Sequence, residues 1–232
     1  MLSLISTPIG NLDDISLRAI DVIKSADFIY TEDTRSFKKI LDSIECKKKC
    51  KSFHEHNEDI ICKEIIKHLK NKKHVVLTCE AGTPAISDPG YKLIRECLNL
   101  NLKYTLIPGP SSLINAVVLS GLPTDKFSFY GFIPKKNNAQ QKLFQKVSND
   151  EKTAIMFESV KRLRKTIISI SKNIDNNRYI SVCREMTKIH EQIVHGNCED
   201  LLKKIDDGSL PLKGEIVLVI EGNSSNLSLI HI

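Results

Sequence analysis

Short apolar runs alternate with segments of helical periodicity through the first half of the chain. One such segment begins at Ser16 and places Leu17, Ile20 and Ile23 on one side. Strands that alternate with helices predict a mostly parallel sheet covered by helices on both faces. The predicted strands are residues 2–6, 27–31, 51–56, 75–78 and 104–108, and the helices after Ser16 cover 36–41, 59–69, 91–98 and 111–121.

The pattern changes after the turn "SGLPTD" at 120–125. The second half is richer in strands, and two of them lie close enough in sequence for a hairpin, which predicts a mixed sheet. We therefore expect an α/β protein with an N-terminal domain of residues 1–121 and a C-terminal domain of residues 122–232. The predicted strands here are 127–132, 153–157, 179–185, 191–196 and 215–221, and the predicted helices are 139–147, 161–171 and 199–206.

Composition places the chain among globular proteins, with 41% hydrophobic and 27% charged residues. No apolar run approaches the roughly 20 residues of a membrane helix, and the start "MLSLISTPIG" lacks the pattern of a signal peptide. Seven cysteines, an odd number without C-x-x-C spacing, favour reduced buried thiols over a disulfide framework or a zinc site. These features predict a cytoplasmic protein with no membrane association.

The chain is moderately basic, with a net charge of +6. Lysine and arginine runs at 47–51, 70–73, 134–136 and 161–165 would suit a polyanion-binding face. The same lysines would also serve simply to solvate the surface. Charge alone therefore leaves a nucleic-acid partner open.

Four unusual loops follow four of the predicted strands in the first half. They read "STPIGNLDDIS", "EDTR", "CEAGTPAISDPG" and "PGPSS". Ligands of open parallel sheets bind beyond the carboxyl ends of the strands, so the four loops predict one crevice at one sheet edge. Gly82 and Gly109 would let the backbone approach a ligand, and Ser111 and Ser112 would open a helix beside it. Turn chemistry alone would also explain each loop taken singly.

Several common motifs are absent from the sequence. It contains no G-x-G-x-x-G after the first strand, no G-x-x-x-x-G-K-[ST] and no G-x-S-x-G, which disfavours a dinucleotide fold, a P-loop and an α/β-hydrolase. His54 and His56 have H-x-H spacing, but a hydrogen-bonding or RNA-contacting histidine is favoured over a metal site. Glu185, Lys188 and Glu191 have the spacing of a surface salt-bridge group.

Taken together, the motifs resemble a known family. "TPIGNLDDISLRA", "EDTR", "AGTPAISDPGY", "PGPSS", "SGLPTDKFSFYGFIPKK", "FESVKRL", "CREMTKIHEQ" and "KGEIVLVIEG" are similar, in order, to those of bacterial 16S ribosomal RNA cytidine 2′-O-methyltransferases. That family belongs to the tetrapyrrole methylase superfamily of S-adenosylmethionine enzymes. The resemblance runs from Ser6 to Gly222.

The resemblance implies a fold, a reaction and partners. It implies a two-domain tetrapyrrole methylase-like α/β fold, with S-adenosylmethionine in the cleft between the domains and no metal. It implies methyl transfer to the ribose 2′-hydroxyl of a decoding-centre cytidine in 16S rRNA, within the assembled small ribosomal subunit, by a homodimer. The residues that it assigns to the cofactor are Pro8, Gly10, Ala81, Gly82, Thr83, Ile86, Ser111, Ser112, Phe157 and Glu158.

Two departures from the family pattern are visible. The third loop begins "CEAG", where the family more usually has Ser-Asp before Ala-Gly, and Glu80 keeps the charge. Family members generally continue past "IEG", whereas this chain ends in "NSSNLSLIHI", which bears on RNA docking and on full activity.

The catalytic residues are predicted from loop position alone. Methyl transfer from a sulfonium needs a positioned base for the hydroxyl proton. We expect that base among the "EDTR" carboxylates, chiefly Asp33 and then Glu32, with Arg35 orienting a phosphate or a carboxylate. His54, Glu185 and Lys188 are the further candidates.

Two alternatives stay open at this point. A methylase of the same superfamily that acts on a precorrin-like tetrapyrrole would carry G-x-G-x-G-D in its first loop, where this chain has "TPIGNLDD". A non-catalytic RNA-binding or ribosome-assembly protein would use the basic faces alone and would have no need for four ligand-type loops.

Overall fold

Residues 1–223, the part of the chain that the computed structural model describes, form two units, each built on a five-stranded sheet. The division falls between Ser111 and Ser112. The terminal "SSNLSLIHI" segment, on which the expectation about RNA docking rests, lies outside the described residues.

The first unit is an all-parallel sheet in the order β3-β2-β4-β1-β5, as the alternating pattern predicts. A short 3₁₀ turn precedes its first helix. Its elements are β1 Leu2–Ile5, α1 Leu17–Ser25, β2 Phe28–Thr31, α2 Thr34–Ser43, β3 Cys50–Ser52, α3 Glu58–Lys70, β4 Val75–Thr78, α4 Tyr91–Asn99 and β5 Tyr104–Ile107.

Helices cover both faces of this sheet because successive strand side chains point to opposite sides. Leu4 and Leu77 pack with α3 and α4 on one face, and Ile29 and Val76 pack with α1 and α2 on the other. All four of these strand side chains are at most 4% exposed. A sheet that is buried on both faces leaves its strand ends as the place for polar chemistry.

The register aligns the carboxyl ends of the strands. Ile5 at the end of β1 is paired with Thr78 of β4 and with Ile107 of β5, and Thr78 is paired with Thr31 of β2. Four strands therefore end in one row, so the four loops of interest leave the sheet from the same edge.

The second unit contains the mixed sheet that the sequence predicts, in the order β6-β7-β10-β8-β9. Only the β6–β7 pair is parallel, and β8 and β9 form the predicted antiparallel pair. Its elements are α5 Ser112–Leu119, β6 Phe127–Phe132, α6 Asn137–Asn149, β7 Thr153–Ser159, α7 Leu163–Ser171, β8 Ile180–Arg184, β9 Gln192–Gly196, α8 Cys198–Asp206 and β10 Glu215–Ile220.

Helix α5 groups with the second unit rather than with the first domain of the sequence analysis. It packs on β7 and β10, where Ala116 and Val117 are buried. The division between the units therefore precedes this helix, whereas the sequence analysis divides the chain after it, at the turn that follows Leu119.

The predicted strand over 51–56 is shorter in the structure and ends at Ser52. Asn57 closes a turn here, since its side chain accepts from the backbone N–H of His54 at 2.9 Å and donates to the carbonyl of Ser52 at 3.1 Å. His54 and His56 thus lie on a turn, and their rings meet edge to face with centroids 5.8 Å apart.

Three general features of residues 1–223 complete the description. No helix in this range combines the length and the apolar character needed to cross a membrane. All seven cysteines are free, and five of them are buried. No group of three or more His, Cys, Asp or Glu side chains within this range is arranged to hold a metal ion.

Candidate functional site

The loops that follow β1 and β4 are joined through their backbones. Thr7 and Gly82 exchange two hydrogen bonds, with N···O distances of 2.9 and 3.0 Å, in an isolated antiparallel bridge. Gly82 has φ of +82°, a conformation that glycine adopts without strain. The hydroxyls of Ser6 and Thr83 lie 3.1 Å apart beside the bridge. The first and third loops are therefore one connected structure.

The loop after β5 belongs to the same framework. Ser6 donates its backbone N–H to the carbonyl of Ile107 at 3.2 Å, and the hydroxyl of Thr83 lies 3.4 Å from the carbonyl of Pro110. A Cβ on Gly109 would lie only 3.1 Å from both the Cβ and the carbonyl oxygen of Ser6. Glycine at this position thus permits the close approach of the fourth loop to the first.

The "EDTR" loop reaches the third loop through side chains. Ser36, near the start of α2, donates to a carboxylate oxygen of Glu80 at 3.4 Å. Glu32 also accepts a hydrogen bond from the backbone of Glu80, and this bond acts to lower the pKa of Glu32. The four loops of the sequence analysis are thus linked at one sheet edge, the second through the third, and the crevice that they would line stays a prediction.

Buried polar atoms without partners collect at the same edge. The hydroxyls of Thr7, Thr31 and Thr78 and one carboxylate oxygen of Glu32 are buried and have no hydrogen-bond partner within residues 1–223. An unsatisfied buried polar group destabilises a protein by about 1–3 kcal/mol. Such groups are uncommon in native structures, and a ligand that pairs with them is one explanation, so their concentration here marks the edge as a candidate site.

Carboxylates near the ends of β2 and β4 influence one another electrostatically. Burial raises the pKa of Glu32, and the negative charges of Glu80 and Glu55 raise it further. Burial likewise raises the pKa of Asp88 to about 6, with a contribution from the charge of Glu32. A proton is consequently held more tightly here than on ordinary carboxylates.

Cys79 has a structural position in the third loop. Burial raises the pKa of its thiol above the ordinary value, and the charge of Asp88 adds to that rise. The thiol therefore remains protonated and donates to the carbonyls of Ala81 and Gly82, each at 3.3 Å. It fixes the entry to the loop rather than acting as a nucleophile.

Asp33, the first-ranked base of the sequence analysis, caps α2. Its carboxylate accepts from the backbone N–H of Arg35 at 2.7 Å and from the Arg35 guanidinium at 3.0 Å. These bonds lower its pKa. Because the Arg35 side chain is 90% exposed, the pair lies at the surface. The carboxylate is already engaged with its neighbour, whereas adjacent Glu32 has an unpartnered oxygen.

His54 is the further candidate that lies close to this cluster. A positive charge on His54 acts to lower the pKa of Glu32. The Nδ1 atom of His54 is buried without a hydrogen-bond partner among the described residues. It contacts His56 only through the ring edges. The unpartnered nitrogen leaves His54 able to form a hydrogen bond with a ligand.

The tip of the third loop carries backbone strain. Ala85 and Ser87 have φ of +66° and +64°, values that non-glycine residues seldom adopt, and they flank Ile86. Ile86 is 42% exposed, so its apolar side chain is accessible to a ligand. Strain of this kind persists where the surrounding structure enforces it, typically at binding sites.

The remaining predicted cofactor residues of the first unit differ in exposure. Pro8 is buried, while Gly10 and Ala81 are exposed. Ser111 is half-buried at the end of the fourth loop. Ser112 is the first residue of α5 and is described with the second unit.

Glu158 and Phe157 of the second unit are held by local contacts. Glu158 is 5% exposed and accepts from the backbone of Ser159 at 2.7 Å and from the hydroxyl of Thr166 at 2.6 Å. Arg162 lies 3.4 Å from the same carboxylate. These contacts stabilise the start of α7. The ring of Phe157 meets that of Phe129 edge to face, with centroids 4.9 Å apart.

Glu185 and Lys188 form the ion pair that the sequence analysis offers as an alternative to catalysis. Lys188 lies 2.9 Å from the carboxylates of both Glu185 and Glu215. Burial alone would raise the pKa of Glu185, but hydrogen bonds from the Glu215 backbone and from Lys188 outweigh it and lower the pKa. Both side chains are thus committed to the turn between β8 and β9.

The site residues assigned from the sequence leave out three residues of the cluster, Ser6, Glu80 and Asp88, although all three lie in the quoted loops. Asp88 stands in the quoted "AISDPGY" segment, where an acid among prolines and glycines is itself a signal. Ser6 opens the first loop, and its contacts with Ile107, Thr83 and Gly109 become visible only in the structure.

Comparison with known proteins identifies relatives along nearly the whole chain. The family model described as Tetrapyrrole (Corrin/Porphyrin) Methylases matches residues 1–202. A protein named ribosomal RNA small subunit methyltransferase I from Rickettsia prowazekii (strain Madrid E) is 42% identical over 222 residues, covering 96% of this chain and 78% of its own. A protein of the same name from Hydrogenobaculum sp. (strain Y04AAS1) is 40% identical over 221 residues, 94% of either chain.

A solved structure of diphthine synthase is similar in fold. It superposes with a TM-score of 0.71 at 14% identity and covers 95% of this chain and 90% of its own. At such low identity the similarity concerns the arrangement of strands and helices alone.

Proposed function

The chain belongs to the tetrapyrrole methylase family and, within it, to the ribosomal RNA small subunit methyltransferase I group, and from this we propose that it methylates the ribose 2′-hydroxyl of a decoding-centre cytidine in 16S rRNA with S-adenosylmethionine. The observation that carries the proposal is identity of about 40% along almost the full chain to proteins of that name. The alternative of a precorrin-like substrate has no comparable support.

The loop cluster of the first unit suits the proposed cofactor. S-adenosylmethionine, when bound, supplies a methyl group on a sulfonium, so transfer to a hydroxyl is a displacement. Gly82 and Gly109 keep the main chain approachable, and the buried Thr7 hydroxyl lacks a partner among the described residues. We assign the backbone of Ala81–Thr83 and the apolar side chain of Ile86 to cofactor binding. A framework tied by its own hydrogen bonds would lose little entropy on binding.

We propose Glu32 rather than Asp33 as the acceptor of the hydroxyl proton. A general base works best when its pKa lies near the working pH, and the pKa of Glu32 is raised by burial and by Glu80. Asp33 has a lowered pKa because it accepts hydrogen bonds from Arg35. Arg35 is paired with Asp33, but its side chain is exposed, so we assign it a phosphate of the substrate as a further contact.

The partners extend the proposal. We propose the assembled small ribosomal subunit as substrate, a homodimer as the working form, and a cytoplasmic location. The edge strand β5 leaves Tyr104 and Leu106 42% and 45% exposed, an apolar area that a second copy would protect. Sedimentation of the purified chain tests this point, and a monomer at every concentration would contradict it.

The deciding experiment is transfer of labelled methyl groups to small subunits that lack the modification. We expect incorporation into 16S rRNA, mapped to one cytidine that then resists alkaline cleavage on its 3′ side, since 2′-O-methylation blocks that reaction. Incorporation into a base, or into a tetrapyrrole offered in parallel with no transfer to RNA, would refute the proposal. Binding of S-adenosylmethionine measured separately distinguishes an enzyme from a non-catalytic RNA-binding protein.

A further inference from the structure

A cationic surface lies around the start of α6. Between Asp125 and Asp150 the sequence contains five lysines and no acidic residue. Three of these lysines, Lys135, Lys136 and Lys142, line a depression of about 640 Å³ together with residues 137–139. None of the three forms a salt bridge among residues 1–223. Their charge is therefore available to an anionic partner, and the positive end of the α6 dipole adds to it.

An exposed aromatic ring lies immediately before these lysines in the chain. Phe132 is 65% exposed, although it ends strand β6. The register with β7 shifts between Phe129 and Phe132, where Gly131 has φ of +67°. A shift of this kind re-aims the side chain that follows it. The ring nevertheless has a defined position, because it meets Phe157 edge to face with centroids 5.3 Å apart.

The segment that joins Phe132 to the lysines is also fixed. Ile133 donates its backbone N–H to the carbonyl of Phe157 at 3.0 Å. Arg162 donates to the carbonyls of Ile133 and Pro134 at 3.2 and 2.9 Å. The aromatic ring and the cations are thus presented on an ordered loop, which lowers the entropy lost when a partner binds.

We infer that Phe132, Lys135, Lys136 and Lys142 form a docking surface for a single-stranded segment of the substrate RNA, an inference that rests on the proposed function. Unpaired lysines neutralise backbone phosphates, and exposed aromatic rings stack on bases that are not paired in a duplex. The combination on one ordered loop is what single-stranded nucleic acid requires. The Lys135–Lys136 run is therefore assigned to the substrate.

Charge removal tests the lysines. We expect the triple variant Lys135→Gln, Lys136→Gln, Lys142→Gln to bind a short fluorescent single-stranded RNA about 10- to 100-fold more weakly near 0.1 M salt. The slope of log affinity against log salt should become shallower by about 2, at about 0.7 for each lost phosphate contact. The KM for unmethylated small subunits should rise by a similar factor, while the affinity for S-adenosylmethionine stays constant.

The matched control removes the same charge elsewhere. Lys67, Lys70 and Lys72 are exposed around the end of α3, on the side where β4 begins. Their triple substitution by Gln should leave the salt slope and the KM near those of the wild type. Equal effects in the two triple variants would mean that only net charge matters, and the inference would be wrong.

The aromatic ring has its own test. Phe132→Leu should weaken binding of the same RNA about 5- to 150-fold, the range for loss of one stacked base, and Phe132→Tyr should restore it. A thermal unfolding scan separates this effect from loss of the Phe157 contact. Failure of Phe132→Tyr to restore binding, or unchanged binding in Phe132→Leu, would overturn the role of the ring.

The outcomes also separate this inference from the function on which it rests. If the wild type methylates small subunits and the triple Lys variant does so with unchanged KM and salt slope, the docking surface is wrong and the function stands. If the wild type transfers no methyl group to RNA, the function fails, and the inference fails with it.

Discussion

The substitution Asp88→Asn should stabilise the protein at alkaline pH and leave it nearly unchanged at acidic pH. Burial, assisted by the charge of Glu32, raises the pKa of Asp88 from 3.8 to about 6. A change of that size converts to about 3 kcal/mol for a fully buried group. Because Asp88 is only half-buried, solvent screening reduces this to about 1–2 kcal/mol.

The direction follows from proton linkage. A carboxyl group whose pKa is raised by folding binds its proton more tightly in the folded state. The folded protein therefore loses stability as the pH rises from near 3.8 through about 6, and the full loss is present at pH 8. Asparagine carries no charge at either pH, so the variant avoids that loss. At pH 4 the same substitution should hardly change the stability, because the carboxyl group of the folded protein is already protonated.

Thermal unfolding at pH 8 and pH 4 is the appropriate assay. A gain of about 1–2 kcal/mol raises the midpoint by about 2–8 °C in a chain of this size. Asp21→Asn, at an exposed position in α1, is the matched control and should show no difference between the two pH values. If Asp88→Asn lowered the midpoint at pH 8, or changed it equally at both pH values, the desolvation argument would be refuted.

Three further outcomes follow from the contacts. Glu32→Gln should slow single-turnover methyl transfer about 10²- to 10⁴-fold without changing S-adenosylmethionine affinity. Asp33→Asn retains a helix cap and should slow the transfer less than tenfold. The reverse order of effects would return the role of base to Asp33. Because the pKa of Glu32 is raised, the wild-type rate should already fall with decreasing pH above the usual range of a glutamate, and a pH-independent rate would argue against this base. Arg178→Met removes three charge-assisted hydrogen bonds to backbone carbonyls, so urea unfolding should show a loss of about 3–5 kcal/mol, and a loss below about 1 kcal/mol would contradict this account.

Much of the architecture could be predicted from local pattern because the pattern reports burial directly. Runs such as residues 75–78 are apolar since both faces of the first sheet are covered, and the helical segments show the stripe that covers them. The meeting of four loops at one edge followed from parallel topology alone. The assignment of α5 did not, because an apolar helix pattern does not specify which of two sheets will bury it.

Within the site, the roles of neighbouring acids could not be predicted. Glu32 and Asp33 are adjacent in sequence, and only the structure distinguishes the buried carboxylate from the one that caps α2. The property that sets Asp88 apart arises from desolvation and from a residue 56 positions away, and neither is visible in a linear pattern. Glu158 shows the same limit, since its motif suggests a ligand contact, and the structure adds hydrogen bonds from Ser159 and Thr166 that the sequence does not reveal.

The bridge between Thr7 and Gly82 has a consequence for how such loops change over evolutionary time. Because the two segments are joined by main-chain atoms, most of their side chains are free to diverge, as the "CEAG" opening of the third loop illustrates. An inserted or deleted residue is different, since it would displace one peptide group from its partner and separate the segments. Conserved spacing, more than conserved letters, is therefore the trace that this contact should leave in related genes.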